Sequence, residues 1–532
     1  MSSYPLLNPA TPALPGTARL ATLLARLSPW LLPAALLALW FAAVHGQWMS
    51  PQILPAPALV ARTAAELAAT DLGGHIAASL SRLALGLVIG SLLGLALGAL
   101  TGLSRRAESL LYPTLIVWAQ VPNLALIPVL MVYLGIGDAL KITLIFNAAL
   151  VPVLVHTQAG IRDVSPQLRE AARALRLSPL QRLLRLELPA ALPAIMTGVR
   201  LALSSSWKTL VVVELLASSE GIGYLMVWGR QMFQLDIVFV CMAVIGVLGL
   251  VMEWALQHLD DRLVRWPRPA LARHHTSALG WSLWPWLLPA LLAALWLAAT
   301  GLGWVDTRDV PAPAAVWAAL QQGFSGGDLL ASDFGRAMAH SLSRYAQGLL
   351  WGVAAGLATG LACGLSLSTG RVLAPTLNVL RQIAVFAWLP LLTAWAGNGE
   401  ASRVLFVAIA TFFPTFFATH RGVQNLPQPL VETARVLRLG FVQRLRFLVL
   451  PGTASSIFAG LRLALVYGWL ATIGAEYFMA SSIGIGSLMI NAQQLMNVDT
   501  IFAGLLLVSL TGALLNAAGR WLENRLQRWR NT

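Results

Sequence analysis

The sequence contains few charged residues, and this scarcity excludes most classes of soluble protein. Charged residues occupy 11% of its 532 positions, whereas about a quarter of the residues in a soluble domain are charged. Hydrophobic residues make up 57%, and the mean hydropathy is +0.71. We therefore predict an all-α membrane protein whose helices cross the bilayer many times.

Lysine is nearly absent, since the chain has only Lys141 and Lys208. The phosphate-binding loop of ATPases requires the sequence Gly-Lys-Ser/Thr. Lys141 follows Leu140 and Lys208 follows Trp207, so neither lies in such a loop. We expect this chain to bind no cofactor. If ATP drives the protein, ATP and Mg bind to a partner subunit.

Cysteine is equally scarce. Cys241 and Cys363 both lie in apolar segments, a placement that implies neither a disulfide framework nor a metal site. We expect no catalytic residues and no metal ligands.

The formal net charge of +14 comes almost entirely from arginine. Nucleic-acid binding is one explanation of such a balance. The arginines cluster between apolar spans, however, and the positive-inside rule of membrane proteins explains that distribution. We therefore expect contact with membrane lipid and none with nucleic acid.

The chain is an internal duplication. Prolines and glycines of the first half recur in the second at an offset that rises from 256 to 263 residues. Each copy contains six apolar spans, which gives about 12 transmembrane helices as two parallel six-helix repeats. The predicted organisation is an N-terminal cytoplasmic segment (1–28), a first half (29–258), a basic cytoplasmic linker (259–282), a second half (283–522) and a cytoplasmic tail (523–532).

The lengths of the apolar spans match the thickness of a bilayer. We expect the first span of each half near 29–45 and 285–300, and the third near 112–134 and 374–396. A cleaved signal peptide is conceivable at the N-terminus, but no convincing cleavage site follows, so we expect an uncleaved first span.

Arginine is densest before the first span, in the linker and at the C-terminus. Because the number of spans is even, both termini are expected on the cytoplasmic face. Three arginines fall on the opposite face: Arg62, Arg230 and Arg308.

The second span of each half carries five glycines at four-residue spacing. Such a stripe lets a neighbouring helix pack closely; lining a substrate path is the alternative. The glycines are Gly86, Gly90, Gly94, Gly98 and Gly102, and then Gly348, Gly352, Gly356, Gly360 and Gly364.

Residues 165–189 hold five arginines and two glutamates between two long apolar segments. Two Ser-Pro pairs, beginning at Ser165 and Ser178, are typical of a helix N-cap followed by proline at the first helical position. Gln181 adds a capping-box partner. We predict two short helices joined by a turn near Leu177. The first would have an apolar face and an opposite basic face: Leu168, Ala171, Ala172 and Leu175, against Arg169, Arg173 and Arg176.

The same pattern returns 262 residues later, where Glu432 matches Glu170 and the Leu-Pro pair at Pro451 matches that at Pro189. The pattern resembles the cytoplasmic EAA loop of bacterial ABC-importer permeases, which is Glu-Ala-Ala, a glycine, then Ile-x-Leu-Pro. The EAA-like loops span 162–189 and 424–451. An ordinary positively charged cytoplasmic loop is the alternative.

Both copies depart from the family pattern at its glycine, where Arg176 and Arg438 stand. The second copy also has Thr433 in place of the first alanine. These departures put the family's turn geometry in doubt, but not the placement of the loop.

The resemblance is closest to the permeases of the nitrate, sulfonate and taurine importer group, and it covers nearly the whole chain, twice. It implies a type I ABC importer permease fold in the bacterial inner membrane, with two permease halves fused in one chain. It also implies ATP-binding subunits, as two copies or a heterodimer, and an extracytoplasmic solute-binding protein. The implied solute is small, an anion such as nitrate, sulfonate or taurine.

The resemblance assigns ATPase coupling to the loops. Glu170 and Glu432 are the first candidates, and each is positioned for an i,i+3 pair with Arg173 or Arg435. Helix-stabilising surface pairs without a coupling role are the alternative. The full set of coupling candidates is Glu170, Ala171, Ala172, Arg173, Arg176, Glu432, Thr433, Ala434, Arg435 and Arg438.

Charged residues inside a membrane are costly and mark functional sites by default. Glu214 and Glu476 occupy equivalent positions and would form either a symmetric gate or a helix end. Lys208 and Arg381 have no charged counterpart in the other half, so they favour a positive cavity suited to an anion. Pairing with a glutamate or a backbone carbonyl is the alternative. The other candidates for the translocation path are Gln120, Asn123, Ser205, Gln382, Tyr467 and Trp469.

A secondary transporter of 12 helices, driven by an ion gradient, is the main alternative function. It needs no basic amphipathic loop before the fifth span of each half. It would more often carry titrating acids in the membrane, where we expect only Glu214 and Glu476. A membrane scaffold or receptor without transport is a third possibility.

Overall fold

The computed structural model describes residues 15–264, 284–307, 309–325, 332–479 and 483–526. These residues form helices joined by short turns, and no strand occurs among them. The order of the helices in the first half repeats in the second.

The first half contains eleven α-helices. In chain order they are α1 (Pro15–His45), α2 (Pro57–Ala69), α3 (Leu72–Leu103), α4 (Arg105–Trp118), α5 (Leu126–Leu134), α6 (Asp138–Arg162), α7 (Pro166–Ala174), α8 (Pro179–Arg182), α9 (Leu188–Leu216), α10 (Ile222–Gln231) and α11 (Leu235–Leu263).

The described residues of the second half form the same set again. They are α12 (Trp284–Gly301), α13 (Pro313–Gly323), α14 (Asp333–Leu365), α15 (Leu367–Leu380), α16 (Leu389–Ala396), α17 (Glu400–Gln424), α18 (Gln428–Val436), α19 (Phe441–Arg444), α20 (Leu450–Phe478), α21 (Ile485–Gln494) and α22 (Val498–Leu526). Short 3₁₀ segments precede α5 and α16, and π-helical segments precede α9 and α20.

Ten of the described helices are long and apolar enough to cross a membrane, and there are 12 spans if each of two bent pairs counts as one. The bent pairs lie at the predicted third spans, near 112–134 and 374–396, and show that each of these spans is broken. The chain turns by 72° between α4 and the segment containing α5, and by 91° between α15 and the segment containing α16. In the first half Pro122 ends the helix. Ala384 takes its place in the second, where packing of Ala384 and Ala387 against the first half's core holds the bend.

The boundaries differ from the sequence prediction at the ends of the halves. Helix α1 begins at Pro15, inside the segment 1–28, whose first 14 residues lie outside the described part. Helix α11 continues to Leu263, and 265–283 of the expected linker lie outside the described part. Helix α22 continues to Leu526, and the rest of the expected tail lies outside it.

The two glycine stripes pack against neighbouring helices, as the first interpretation of the sequence predicted. Helix α3 packs along α6, and α14 packs along α17. A methyl carbon at Gly90 would lie 2.5 Å from the carbonyl oxygen of Phe146, and one at Gly356 would lie 2.8 Å from that of Phe412. The glycines therefore let backbones touch, and they do not line a path.

We expect Gly90→Ala to lower the stability of the purified chain by about 1–3 kcal/mol, because the new methyl group overlaps the backbone of α6. Gly73→Ala, in the same helix, is the matched control, since nothing lies within 4 Å of a methyl group there. The apparent melting temperature in detergent measures both. Equal melting temperatures for the two variants would contradict this account of the stripe.

The halves interlock. Helix α1 packs on α15 of the second half, and α12 packs on α4 of the first. The indole nitrogen of Trp395 donates to the Ile53 carbonyl at 3.1 Å, and the equivalent Tyr133 hydroxyl donates to the Asp309 carbonyl. Because core residues of both halves share hydrophobic clusters, neither half is a closed unit by itself.

Candidate functional site

Each EAA-like loop folds as two short helices, as predicted. In the first loop the Ser165 hydroxyl accepts the N–H of Leu168 at 3.4 Å, which caps α7. Ser178 and Gln181 form the reciprocal capping box that begins α8, with bonds of 3.1 and 3.3 Å. Helix α8 then passes through a π-helical segment into α9, so a displacement of the loop acts directly on the fifth span.

The turn after the first short helix keeps a left-handed residue although arginine replaces the family's glycine. Arg176 has φ 52° and Arg438 has φ 49°. The N–H of Arg176 donates to the Arg173 carbonyl at 2.9 Å, and that of Leu177 donates to the Ala172 carbonyl at 3.1 Å. These two bonds form a Schellman turn, and the second loop repeats them. The turn geometry that the sequence left in doubt is therefore present.

Arginine in the left-handed region is strained by about 1–2 kcal/mol. We expect Arg176→Gly to raise the stability of the chain by roughly 0.5–1 kcal/mol, because glycine relieves that strain and loses some of the gain to chain entropy. Arg173→Gly, inside α7, should lower stability by about 1 kcal/mol. If both variants lower the apparent melting temperature equally, replacing Arg176 relieves no strain and this account of the turn is wrong.

The predicted division of α7 into an apolar inner face and a basic outer face is only partly right. Ala172 and its counterpart Ala434 are each 4% exposed and pack inward. Arg169 also turns inward, donating to the Ile161 carbonyl at 2.6 Å. Leu175 is 74% exposed, because α7 ends at Ala174 and the turn carries Leu175 away from the core.

Glu170 and Glu432 both lie on the exposed side of their loops. In the described part of the chain neither forms the expected ion pair with Arg173 or Arg435; Glu432 accepts instead from the Gln428 amide at 3.0 Å. The expected pair is wrong because surface ion pairs on helices gain only a few tenths of a kcal/mol in water. Both carboxylates are therefore open to a partner.

The exposed surface of each loop is a patch of apolar and arginine side chains around the glutamate. Large apolar side chains lie more than half exposed in both loops, which is unusual for an isolated surface and typical of a docking surface. They are Leu175, Leu180 and Leu184 in the first loop, and Val436, Leu437, Phe441, Val442 and Phe447 in the second.

A buried carboxylate supports only the first loop. Glu187 is 0% exposed and pairs with Arg182 at 2.7 Å, with Arg169 3.8 Å away. The second loop has Val449, which is also buried, in place of Glu187 and Val431 in place of Arg169, whereas Arg182 has the counterpart Arg444. The second loop therefore lacks the buried ion pair of the first.

Glu214 and Glu476 lie at the C-terminal ends of α9 and α20, on the side of the membrane opposite the loops. Glu214 accepts from the Ser79 hydroxyl at 2.8 Å and from the Gly223 N–H at 3.0 Å. Glu476 accepts from Ser341 at 2.6 Å, from the Arg344 guanidinium at 2.7 Å and from the Gly486 N–H at 2.8 Å. Of the two expected roles, this geometry matches a helix end locked to the following turn.

Arg344 extends this network to a third helix. It pairs with Glu400 at the start of α17 at 2.5 Å, and Glu400 pairs with Arg403 at 2.9 Å. Arg82 pairs in the same way with Asp138 at 2.7 Å in the first half. These residues were not among the candidates predicted from the sequence. The signal was present, because acid and base recur at the 262-residue offset within apolar segments.

Gln120 and Gln382 join the two halves. The Gln382 amide donates to Glu253 of α11 at 2.8 Å, and Gln120 accepts from Asn516 of α22 at 3.0 Å. Both glutamines sit at the bends of the third spans, between broken helices. Glu253 is a third acid inside the membrane helices and corrects the expectation that Glu214 and Glu476 were the only ones.

The remaining path candidates have different surroundings. Asn123 accepts from the Asn147 amide. Ser205 lies half-buried on α9. Trp469 is 1% exposed and its indole donates to the Val508 carbonyl at 3.0 Å, so the large ring packs in the core of this structure; its role in the path stays a prediction.

Lys208, Tyr467 and Arg381 come together between the halves. The Lys208 ammonium lies 5.4 Å from the centre of the Tyr467 ring. Arg381 lies over the Phe417 ring at 4.7 Å. The chain neighbours of the two cations approach the same glycine, since a methyl group at Gly249 would lie 3.2 Å from the Gln382 carbonyl oxygen and 3.4 Å from the Trp207 indole nitrogen. The fifth spans α9 and α20 therefore face one another across the region where these side chains meet.

Comparison with known families matches this architecture. The family model described as the binding-protein-dependent transport system inner membrane component matches residues 86–265 and again 348–528. Both matches contain the glycine stripe, the bent third span, the EAA-like loop and the buried glutamate of their half, whereas the serine and arginine partners of that glutamate precede each match.

Individual relatives align with about half of the chain. The aliphatic sulfonates transport permease protein SsuC of Escherichia coli (strain K12) is 40% identical over 244 residues, which are 46% of this chain and 93% of the relative. SsuC of Bacillus subtilis (strain 168) is 38% identical over 44% of this chain and 86% of the relative. The taurine transport system permease protein TauC of E. coli (strain K12) is 35% identical over 44% and 87%. The chain belongs to the binding-protein-dependent transport system inner membrane component family, and it is a multi-pass inner-membrane permease of an ABC importer with two permease domains in one polypeptide.

Proposed function

We propose that this chain supplies both permease halves of its importer, and that two ATP-binding subunits, identical or different, dock on its two EAA-like loops. Members of the family work with ATP-binding subunits and a solute-binding protein. The observation that carries the proposal is the duplication of an exposed docking patch around Glu170 and Glu432, each continuous with a fifth span. ATP and Mg would bind to the partner subunits.

The two loops lie on the same side of the membrane. Between Glu170 and Glu432 the chain makes six crossings, through α9, α11, α12, α14, the bent third span and α17. An even number of crossings returns the chain to its starting side. The arginine content of this side supports a cytoplasmic location for the loops and for both termini.

The solute we propose is a small anion, in particular an aliphatic sulfonate. The named relatives are permeases for aliphatic sulfonates and taurine. An extracytoplasmic binding protein would present the solute on the side where Glu214 and Glu476 lock the outer turns. Coupled closure of the ATP-binding subunits would then move α9 and α20 through the loops.

Purification of the tagged chain from a cell that also expresses its ATP-binding subunits and its binding protein tests this function. We expect the ATP-binding subunits to co-purify, and the loaded binding protein to stimulate ATP hydrolysis severalfold in proteoliposomes. Uptake by this chain alone, driven by an ion gradient, would support the secondary transporter and contradict the proposal.

A further inference from the structure

Two cations within the membrane helices lack an ionic partner. In the described part of the chain, the side chains of Lys208 and Arg381 take part in no hydrogen bond and no ion pair, and Nε of Arg381 is buried without a partner. Each cation lies against an aromatic ring instead. The pairing with a glutamate or carbonyl that the sequence left open is therefore absent from the described structure.

The acid beside the bend of the third span, Glu253, does not pair with Arg381. Its carboxylate accepts the amide of the neighbouring Gln382 at 2.8 Å, and the described residues show no ion pair between it and the guanidinium. Nε of Arg381 is buried without a hydrogen-bond partner. An unpaired cation in a membrane protein costs several kcal/mol unless water or an anion faces it.

The cluster belongs to both halves at once. Lys208 comes from α9 of the first half, whereas Tyr467 and Arg381 come from the second. Lys208 corresponds to Leu470 of the second half, and Tyr467 and Arg381 correspond to Ser205 and Ala119 of the first. The repeat of the two halves therefore does not produce a second copy of this cluster.

We propose that Lys208 and Arg381, one from each half, form a single binding site for a small oxyanion inside the membrane, and that a sulfonate group is its ligand. A planar guanidinium can donate two parallel hydrogen bonds to an oxyanion. The ammonium supplies a second positive charge. This site deepens the proposed function and rests on it.

This asymmetry gives a physical reason for having two different halves in one chain. A dimer of two first halves would contain two lysines and no Arg381, and a dimer of two second halves would contain two arginines and no Lys208. Joining the halves in one polypeptide guarantees the mixed pair that the site requires.

Lys208→Leu and Arg381→Ala test the site, because each installs the residue that the other half carries. In proteoliposomes containing the full complex and the binding protein, we expect each variant to lose at least tenfold in the rate of ATP-driven uptake of radiolabelled ethanesulfonate. Lys208→Arg and Arg381→Lys, which keep the charge, should retain a substantial part of it. Arg106→Ala removes an exposed arginine on the loop side and serves as the control with unchanged uptake.

Binding to the purified full chain provides a second readout. Ethanesulfonate at millimolar concentration should raise the apparent melting temperature of the wild type and of Arg106→Ala, but not that of Lys208→Leu or Arg381→Ala; sodium chloride at equal ionic strength is the blank. If the two neutral variants take up ethanesulfonate at the wild-type rate, or show the wild-type thermal shift, the proposed anion site is wrong and the proposed importer function still stands. An absence of ATP-driven uptake in the wild-type complex would instead overturn the proposed function.

Discussion

Glu476→Ala should prevent the chain from reaching a stable folded state. The carboxylate is 1% exposed and accepts hydrogen bonds from a serine hydroxyl, a guanidinium and a backbone N–H. Removing one partner of a buried ion pair typically costs 3–5 kcal/mol, because the remaining groups are left desolvated and unsatisfied. We expect a large fall in the yield of monodisperse protein and in its apparent melting temperature.

Glu66→Ala is the matched control for this prediction, since Glu66 is an exposed acid on α2. Glu476→Gln keeps an oxygen acceptor and should give an intermediate loss. A different result would change the assignment of the residue. If Glu476→Ala melts like the wild type but transports poorly, the network is a gate and not the lock of a helix end.

Reversing the charge of the loop glutamates should strongly reduce ATP-driven uptake without unfolding the chain. Glu170 and Glu432 are exposed and unpaired with their neighbouring arginines, so an arginine there costs little in the isolated permease. In a docked complex it places like charges together, and losing a buried interfacial charge pair costs about 2–5 kcal/mol. We expect Glu170→Arg and Glu432→Arg each to reduce uptake at least tenfold, with reduced co-purification of the ATP-binding subunits.

Asp261→Arg is the control for the loop variants, because Asp261 is an exposed acid near the end of α11 on the same side of the membrane. It should leave uptake unchanged. Full activity of both loop variants would show that the glutamates do not contact the partner. A loss of thermal stability in the loop variants alone would point to a structural role within the loop.

The sequence predicted the features that depend on local chemistry and on duplication. The Ser-Pro caps, the glycine stripes and the paired loops all follow from residue types at fixed spacing, and the structure confirms them. The bends of the third spans were not predicted, because hydropathy contains no information on the direction of the backbone. In the second half no proline marks the bend, which tertiary packing of Ala384 holds.

Three parts of the candidate site were not predicted from the sequence, for different reasons. The ionic network around Arg82 and Arg344 joins residues far apart in the chain, so its members were visible only as separate charges. Glu253 was overlooked because its counterpart, Asn516, is uncharged and comparison of the repeats did not single it out. The unpaired state of Lys208 and Arg381 likewise depends on what surrounds them, which only a structure provides.

Cysteine cross-linking of the loops tests the central claim most directly. The two native cysteines are buried and can be replaced before Glu170→Cys and Glu432→Cys are introduced one at a time. We predict that each new cysteine reacts with a membrane-impermeant maleimide only in inside-out vesicles, and that a bifunctional reagent joins each to an ATP-binding subunit with a yield that changes on ATP binding. Labelling of the two positions from opposite sides of the membrane, or no cross-link from either, would contradict the account.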